Sequence, residues 1–219
     1  MSNANPSNSS ASTTGTDKLS DRKRAGILDA AIACFSENGF DKTSMDAIAS
    51  HANVSKRTVY NHFSSKDTLF TAIVNKLKEN ATLAVPLVYC DEELLGPQLS
   101  RFCYGVIEFH CQNESRALAR ILISRFIRSP QLGHEMFGNG KIFEVRLVEW
   151  IVAAQQHNRL RRFDIKLGAK QVIAMLEGFC VWPQLILDAP NPTSTQRDQI
   201  VDSITAMFLN TYGISNDSA

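Results

Sequence analysis

The 219-residue sequence lacks the features of membrane-embedded or exported proteins. It contains no apolar run of about 18 residues or more, and no signal-peptide core follows its N-terminus. Its five cysteines are odd in number, and none has a C-x-x-C spacing. That pattern favours reduced thiols, buried among helical residues, over disulfides or a zinc site. We therefore expect a soluble, cytoplasmic protein without membrane contact.

The motifs of common enzyme classes are also missing. There is no G-x-S-x-G, P-loop, G-x-G-x-x-G or H-E-x-x-H, and the five histidines form no ligand spacing with cysteines or carboxylates. His110 and Cys111 are adjacent, so on a helix their side chains point about 100° apart and make a poor nucleophile–base pair. The sequence therefore predicts no catalysis, no metal site and no cofactor.

Neither sign of charge is in excess, because 23 Lys and Arg face 22 Asp and Glu. This balance argues against non-specific polyanion binding by the whole chain, so any nucleic-acid contact must be local. Between Asp46 and Asp67 no acidic residue occurs, whereas Lys56, Arg57 and Lys66 supply three positive charges. Such a basic window in a neutral chain is typical of a small DNA-binding module.

The basic window follows the pattern of two short helices joined by a tight turn. Thr43 is expected to cap the first helix, with Asp46 three residues later completing a capping box. Asn53 tolerates positive φ and suits the turn, and Ser55 is expected to cap the second helix. Val59 then faces inward, which leaves cations, hydroxyls, an amide and an aromatic on the outer face. This order of caps and apolar positions favours a DNA-reading helix over a merely solvated one.

At these residues the sequence resembles the TetR family of bacterial transcriptional regulators. The resemblance covers about residues 20–70 and is carried by the runs Arg24–Ala31, Gly39–Phe40, Thr43–Met45, Ile48–Ala49, Val54–Phe63 and Leu69–Phe70. Asn53 stands where the family usually has Gly, which suits a left-handed turn residue. The resemblance implies an all-α fold, with an N-terminal three-helix head that contains a helix-turn-helix, and a larger helical body for ligand binding and dimerisation.

Four segments are expected along the chain. Residues 1–17 have almost no apolar bulk and are interpreted as a disordered arm. Residues 18–65 form the DNA-binding head, residues 66–212 the helical body, and residues 213–219 a flexible C-terminus. The first helix is predicted over about 20–38. Four basic residues lie near its start, and they either contact phosphate or form a solvated helix end: Lys18, Arg22, Lys23 and Arg24.

The body shows helical periodicity throughout. Helices are predicted near 95–112, 114–128, 131–157, 165–188 and 194–212. Gly138-Asn139-Gly140 should interrupt the third of these, Asp164 should cap the fourth, and Pro183 should bend it. The helix that opens at Ser64 or Ser65 should end or kink at Pro86.

The resemblance assigns the basic window to double-stranded DNA. The expected DNA-binding residues are Thr43, Ser44, Ser55, Lys56, Arg57, Thr58, Tyr60, Asn61, His62 and Lys66. Of these, Lys56, Arg57 and Thr58 should read base edges. Phosphate contacts are expected from Thr43 and Ser44 at the supporting helix, and from Tyr60, His62 and Lys66.

The body is expected to bind a small-molecule effector and a second copy of the chain. Bulky or polar residues that could line an effector cavity are Phe102, Phe109, His110, Phe126, Phe143, Trp150, Phe179 and Trp182, although ordinary core packing explains aromatics equally well. Apolar faces on the last two predicted helices suggest a dimer interface formed by Ile173, Leu176, Cys180, Leu187, Ile200, Ile204, Met207 and Phe208; in a monomer these residues would simply be core.

The primary prediction is a ligand-responsive repressor that binds a palindromic operator as a homodimer and is released by a small hydrophobic or aromatic effector. Two alternatives remain open. The body could bind a partner protein, which an interior without a cavity would favour. The chain could also be an all-helical enzyme whose basic helix binds an anionic cofactor, which turnover of a phosphorylated substrate without DNA binding would favour.

Overall fold

A computed structural model describes residues 13–137 and 142–214, and within these ranges the chain forms helices and no strand. The elements are α1 (Thr13–Asn38), α2 (Met45–His51), α3 (Lys56–His62), α4 (Lys66–Ala84), α5 (Leu95–Cys111), α6 (Asn113–Arg128), α7 (Pro130–Phe137), α8 (Ile142–Gln156), α9 (Ile165–Cys180), α10 (Trp182–Ile186) and α11 (Ser194–Tyr212). The predicted all-α class is confirmed. None of the helices in the described ranges has the length and apolar character needed to cross a bilayer.

The first compact unit, the head, ends at Ile73 and comprises α1 to α3 with the first turns of α4. Its buried core is built from Ile27, Ala31, Phe35, Phe40, Ile48, Val59, Phe63, Leu69 and Phe70. The ring of Phe40, which follows α1, lies 5.1 Å from Phe35 and 5.4 Å from Phe70. Because α4 contributes to this core, the head extends past the predicted boundary at residue 65.

Helix α1 begins at Thr13, earlier than the predicted start near Ser20. Residues 13–17 are therefore helical, and the predicted disorder was wrong there; residues 1–12, and residues 215–219 of the predicted flexible C-terminus, lie outside the described residues. The physical reason is cooperativity. Nucleating a helix is costly, but once packing has done so, each residue that is added forms one more backbone hydrogen bond. A helix can therefore continue beyond its last buried position.

Side-chain caps set several helix boundaries. The Ser65 hydroxyl accepts from the Thr68 N–H at 3.1 Å and the Thr68 hydroxyl accepts from the Ser65 N–H at 3.0 Å, so Ser65 opens α4. The predicted cap Asp164 is confirmed, since its carboxylate accepts from the Leu167 N–H at 3.1 Å. Helix α4 ends before Pro86, as predicted, because proline has no N–H to continue it.

The second compact unit, the body, begins at Val74 and has its core among α5, α8, α9 and α11. Trp150 of α8 is fully buried there, and its indole N–H donates to the Gln98 side-chain oxygen at 3.0 Å. The Gln98 amide in turn donates to the carbonyls of Cys90 and Glu93 at 2.7 and 2.9 Å. One buried amide therefore ties the segment before α5 to the centre of the body.

The predicted helix over 165–188 is two helices, α9 and α10, which are separated at Val181. The φ and ψ angles of Val181 are −121° and −63°, and Pro183 follows in the first turn of α10. A proline is tolerated at that place because the first-turn N–H groups have no partner within the helix. The predicted break near Pro183 is confirmed, and the single continuous helix was wrong. The glycine pair around Asn139 lies outside the described residues.

All five cysteines are free thiols. Cys34, Cys103 and Cys180 are buried, as predicted, whereas Cys90 and Cys111 are only half-buried. Burial raises the pKa of both Cys103 and Cys180 to about 12. These two groups therefore remain protonated near neutral pH, which makes them poor nucleophiles.

One side chain of α4 holds the turn between α1 and α2. The Lys66 ammonium donates to the carbonyls of Phe40 at 2.7 Å, Asp41 at 3.2 Å and Thr43 at 2.9 Å. It also lies 4.5 Å from the centre of the Phe40 ring. An ammonium has three N–H donors, so all of them are used within the protein. This geometry contradicts the predicted role of Lys66 as a phosphate donor and makes the residue a structural brace.

Replacing Lys66 by Met should destabilise the head, because three carbonyls lose their donor while the side chain keeps a similar length. We expect the free energy of unfolding to fall by about 1.5–3 kcal/mol, measured by urea denaturation. Lys42→Met removes the same charge from an exposed position of the same turn and should cost less than about 0.5 kcal/mol. Equal stability of the two variants would show that the three hydrogen bonds do not hold this turn.

Candidate nucleic-acid interface

Two serine caps and one left-handed residue place α3 against α2. The Ser55 hydroxyl accepts from the Thr58 N–H at 3.1 Å, which confirms the predicted cap of α3. Asn53 has a φ of 52°, as predicted, and the chain reverses there. The Val54 N–H donates to the Ala49 carbonyl at 3.0 Å, which closes the end of α2. The turn is thus defined by local hydrogen bonds.

The predicted cap of α2, Thr43, is instead a buried residue, 3% exposed. Its hydroxyl lies 2.8 Å from the Gly39 carbonyl and 3.1 Å from that of Cys34. The cap is the next residue, Ser44, whose hydroxyl accepts from the Ala47 N–H at 3.1 Å. The Thr43 side chain therefore cannot contact phosphate as predicted, whereas Ser44 is exposed.

Helix α3 is anchored by its inner face. Val59 is fully buried and the adjoining Phe63, which follows the last turn, is 3% exposed, as predicted. The remaining side chains of the helix point outward: Lys56, Arg57, Tyr60 and Asn61 are exposed, and Thr58 and His62 are half-buried. Because α3 has only seven residues, this inner anchor and its caps hold it in place, and the outer face is available for contacts.

The two cations at the start of α3 differ in their surroundings. The Lys56 ammonium lies 2.8 Å from the carboxylate of Asp46 on α2. That hydrogen bond raises the pKa of Lys56. Both side chains are largely exposed, so a phosphate or a base edge could replace the carboxylate as partner. Arg57 makes no hydrogen bond or ion pair within the described residues, and its planar guanidinium is suited to the O6 and N7 atoms of guanine.

A contact that the sequence pattern missed joins α1 to α3. The guanidinium of Arg24 lies over the ring of Phe63, 5.0 Å from its centre. A cation above an aromatic face is attracted by the ring quadrupole. The sequence placed Arg24 in a basic helix start and in the first run of the family resemblance, but it did not pair Arg24 with Phe63, because residues 39 positions apart give no periodic signal.

In the body, four of the residues predicted to line an effector site come together. Phe143 lies 6.4 Å from Phe102, 5.4 Å from Phe109 and 5.6 Å from His110, measured between ring centres. We call these four residues the aromatic cluster. Phe102, Phe109 and Phe143 are buried, and His110 is half-buried. The cluster therefore combines two phenyl rings and one imidazole of α5 with one phenyl ring of α8.

The other predicted effector residues differ in their surroundings. The ring centre of Phe126 lies 5.7 Å from that of Phe137. Trp150 belongs to the same hydrophobic core as the three phenylalanines of the cluster, and its indole N–H donates to Gln98. Phe179 and Trp182 are exposed, at 53% and 41%. Phe179 borders a separate surface cavity of about 560 Å³ beside α10 and α11. Aromatic character alone does not distinguish an interior site from an apolar surface.

Most of the predicted dimer residues are unavailable for contact with a second chain. Ile173, Leu176, Cys180, Ile204 and Phe208 are buried in the core of the body. Leu187 and Met207 are exposed, and Ile200 is half-buried. Four further large apolar residues of α9 and α10 are exposed: Leu167 and Ile186, which the sequence analysis did not single out, and Phe179 and Trp182, which it assigned to the effector site. We call the exposed set Leu167, Phe179, Trp182, Ile186, Leu187 and Met207 the α9–α11 apolar face. The sequence patterns identified these helices but selected mainly their inner sides.

Two family models together match most of the chain. The model of bacterial regulatory proteins of the tetR family matches residues 27–73, and that of the AefR-like transcriptional repressor C-terminal domain matches residues 97–214. The first range contains α2 and α3, and the second contains the aromatic cluster and the α9–α11 apolar face.

Individual relatives agree with this assignment. A solved TetR family transcriptional regulator from Pseudomonas syringae is 36% identical, with a TM-score of 0.78, and the match covers 89% of this chain and 98% of that one. The flavonoid-responsive regulator FrrA is 26% identical, with a TM-score of 0.75 and coverages of 88% and 98%. The transcriptional regulator UidR of Escherichia coli is 47% identical over 58 residues, which are 26% of this chain and 30% of that protein.

These relatives are transcriptional regulators and not enzymes, and the predicted family is confirmed. The matched ranges include both the helix-turn-helix and the helical body. The chain belongs to the TetR family of transcriptional regulators.

Proposed function

We propose that this regulator is a repressor that binds a palindromic operator in double-stranded DNA as a homodimer, and that a small hydrophobic or aromatic effector releases it. The observation that carries the proposal is the outer face of α3. Seven residues are held by a buried valine and two caps, while the polar side chains of the helix are exposed or half-buried. In helix-turn-helix proteins the second helix lies in the major groove, with its outer face towards the bases.

Within the interface, the start of α3 would read bases and its surroundings would bind phosphates. Lys56, Arg57 and Thr58 occupy the first turn, where base contacts are made in this motif. Phosphate contacts are assigned to the exposed or half-buried hydroxyl, amide and imidazole groups of Ser44, Ser55, Tyr60, Asn61 and His62. Thr43 and Lys66 are omitted because their donors are used within the head.

Arg57→Ala tests the assignment of α3. The variant should lose about 1–3 kcal/mol of operator affinity and most of its preference for one base pair, because a guanidinium can bind guanine with two hydrogen bonds. Fluorescence anisotropy with the operator and with single-base variants measures both effects. Arg162→Ala, which removes the same charge from an exposed position in the body, should bind as the parent does. An unchanged base preference in Arg57→Ala would contradict the proposal.

Homodimerisation would cover the α9–α11 apolar face. Ile186 and Leu187 are 71% and 76% exposed, and Met207 on α11 is 55% exposed. Large exposed apolar side chains on helices that contact one another, as α9 does with α10 and α11, are typical of an interface. A twofold axis would place two copies of α3 on successive major grooves about 34 Å apart, and one copy alone reads too few base pairs for specific binding.

A charge placed on this face should separate the subunits. Met207→Glu is expected to give a folded monomer, with operator affinity reduced at least about tenfold, because a buried unpaired carboxylate opposes association. Ile127→Glu places the same charge at a residue of α6 that is 74% exposed and should leave the dimer intact. Analytical ultracentrifugation measures the oligomeric state of both variants. A Met207→Glu protein that stays dimeric would rule out this surface as the dimer interface.

The effector site is assigned to the aromatic cluster. A hydrophobic or aromatic effector would contact the rings of Phe102, Phe109 and Phe143, while the His110 imidazole could form a hydrogen bond with a polar substituent. FrrA, which is 26% identical over nearly its whole length, is a flavonoid-responsive regulator. Binding would favour the conformation in which the two copies of α3 no longer match the operator.

Phe143→Leu should reduce the response to effector without reducing operator affinity. Losing the ring contacts is worth roughly 0.5–1.5 kcal/mol, so the effector concentration for half-release should rise about 2–10-fold. The measurement is release of labelled operator by a panel of flavonoids and simpler phenols. Phe163→Leu alters another aromatic of the body, which stacks on Tyr212, and should leave the response unchanged. Failure of every aromatic compound to release operator would contradict this effector class.

A further inference from the structure

The surface cavity of about 560 Å³ beside Phe179 is bounded by the end of α9, by α10 and α11, and by the segment 187–193 that joins the last two helices. Its polar lining consists of side-chain amides and one hydroxyl, and none of the described residues that line it is charged. A charged molecule would lose hydration there without meeting a counter-ion. The lining therefore suits an uncharged molecule. Its apolar walls are Phe179, Pro183, Ala189, Pro190, Pro192 and Ile200.

Gln184 of α10, which lines the cavity, shows what such a molecule should carry. Its side chain is 3% exposed, and its amide nitrogen donates to the carbonyls of Phe179 at 3.3 Å and Pro190 at 3.2 Å. These two acceptors fix the orientation of the amide, because the reverse orientation would turn its oxygen towards two other oxygens. The Gln184 side-chain oxygen is buried and accepts no hydrogen bond from the described residues. A buried acceptor without a donor is costly, so an occupant with an N–H or O–H group is favoured.

The wall of the cavity is held in place from two other helices. Arg120 of α6 donates to the Gln184 carbonyl at 3.2 Å and to the Asp188 carboxylate at 3.0 Å. The Asn191 amide donates to the carbonyl of Cys111, at the end of α5, at 3.1 Å. The three prolines of the wall have a fixed φ angle, which stiffens it further. A ligand would therefore lose little free energy in ordering this segment.

A second copy of the chain is the other candidate occupant, because Phe179 belongs both to this cavity and to the α9–α11 apolar face. The aliphatic side chains of that face carry no donor and would leave the Gln184 oxygen unpaired. Trp182, which is 41% exposed, has the one N–H donor among the side chains of the face, but its ring is much smaller than the cavity. The volume lies within the range of about 300–1,000 Å³ that is typical of small-molecule sites.

We infer that this cavity is a second small-molecule site, separate from the aromatic cluster. Its ligand is uncharged and cyclic, with an apolar body that contacts Phe179 and the prolines, and it donates one N–H or O–H to the Gln184 side-chain oxygen. The exposed amides of Gln196 and Gln199 and the exposed hydroxyl of Ser203 leave room for further polar substituents at the mouth of the cavity. The inference goes beyond the proposed effector site and does not depend on DNA binding.

Indole and 1-methylindole test the hydrogen bond to Gln184, because both are uncharged and only indole has an N–H donor. Isothermal titration calorimetry with the full chain should give a Kd of about 1 mM or tighter for indole. The affinity for 1-methylindole should be at least about tenfold weaker, since it leaves the buried oxygen unpaired. Phe143→Leu, which alters the aromatic cluster, should bind indole as the parent does. Equal affinity of the parent for the two compounds would overturn the inference.

Two tryptophan substitutions on α11 test the location. Ser203→Trp places a ring at the mouth of the cavity and should weaken indole binding at least about tenfold, whereas Ser194→Trp places the same ring at an exposed position outside the lining and should have no effect. Equal binding by these two variants would contradict the site. Binding by Trp182→Phe but not by the parent would identify the indole of a second copy as the occupant and overturn the inference, as would no binding by either protein. No DNA is present, so these outcomes are independent of the test of α3.

Discussion

The Lys66 ammonium, with its hydrogen bonds to three backbone carbonyls, is the interaction on which the geometry of the head depends. It holds the turn that leads into α2, and α2 in turn supports α3. A seven-residue polar helix has too little stability of its own to keep a fixed direction. The buried contacts of Val59 and Phe63 and the caps at Ser44 and Ser55 complete the support. The orientation of α3 is therefore a property of the whole head.

This use of Lys66 changes how charge is distributed over the DNA-facing surface. The sequence alone does not distinguish the three cations of the basic window, but their surroundings differ. The Lys66 ammonium donates to backbone carbonyls of the head, Lys56 lies beside the carboxylate of Asp46, and Arg57 is exposed. Base recognition would then depend chiefly on Arg57 and Lys56.

The body shows how a single apolar pattern serves two purposes. Helices α9 and α11 have buried residues such as Leu176 and Phe208 on one side and exposed apolar residues such as Met207 on another. A helix that is apolar over most of its circumference is expected where it packs on its own core and on a second subunit. The aromatic cluster around Phe143 lies on different helices, α5 and α8, so the proposed effector and dimer sites are distinct parts of the body.

From the sequence alone, the resemblance of residues 20–70 to TetR regulators indicated the family and the all-α class. The caps at Ser55 and Asp164, the positive φ of Asn53 and the inner position of Val59 followed from local hydrogen bonding and from 3.6-residue periodicity, which a sequence records directly. Long-range packing alone distinguished Ser44 from Thr43 as the cap, backbone carbonyls from phosphate as the partners of Lys66, and core from surface for Ile204 and Trp182. Those outcomes depend on which distant segment lies nearby, and periodicity identifies the apolar sides of a helix but not what covers each of them.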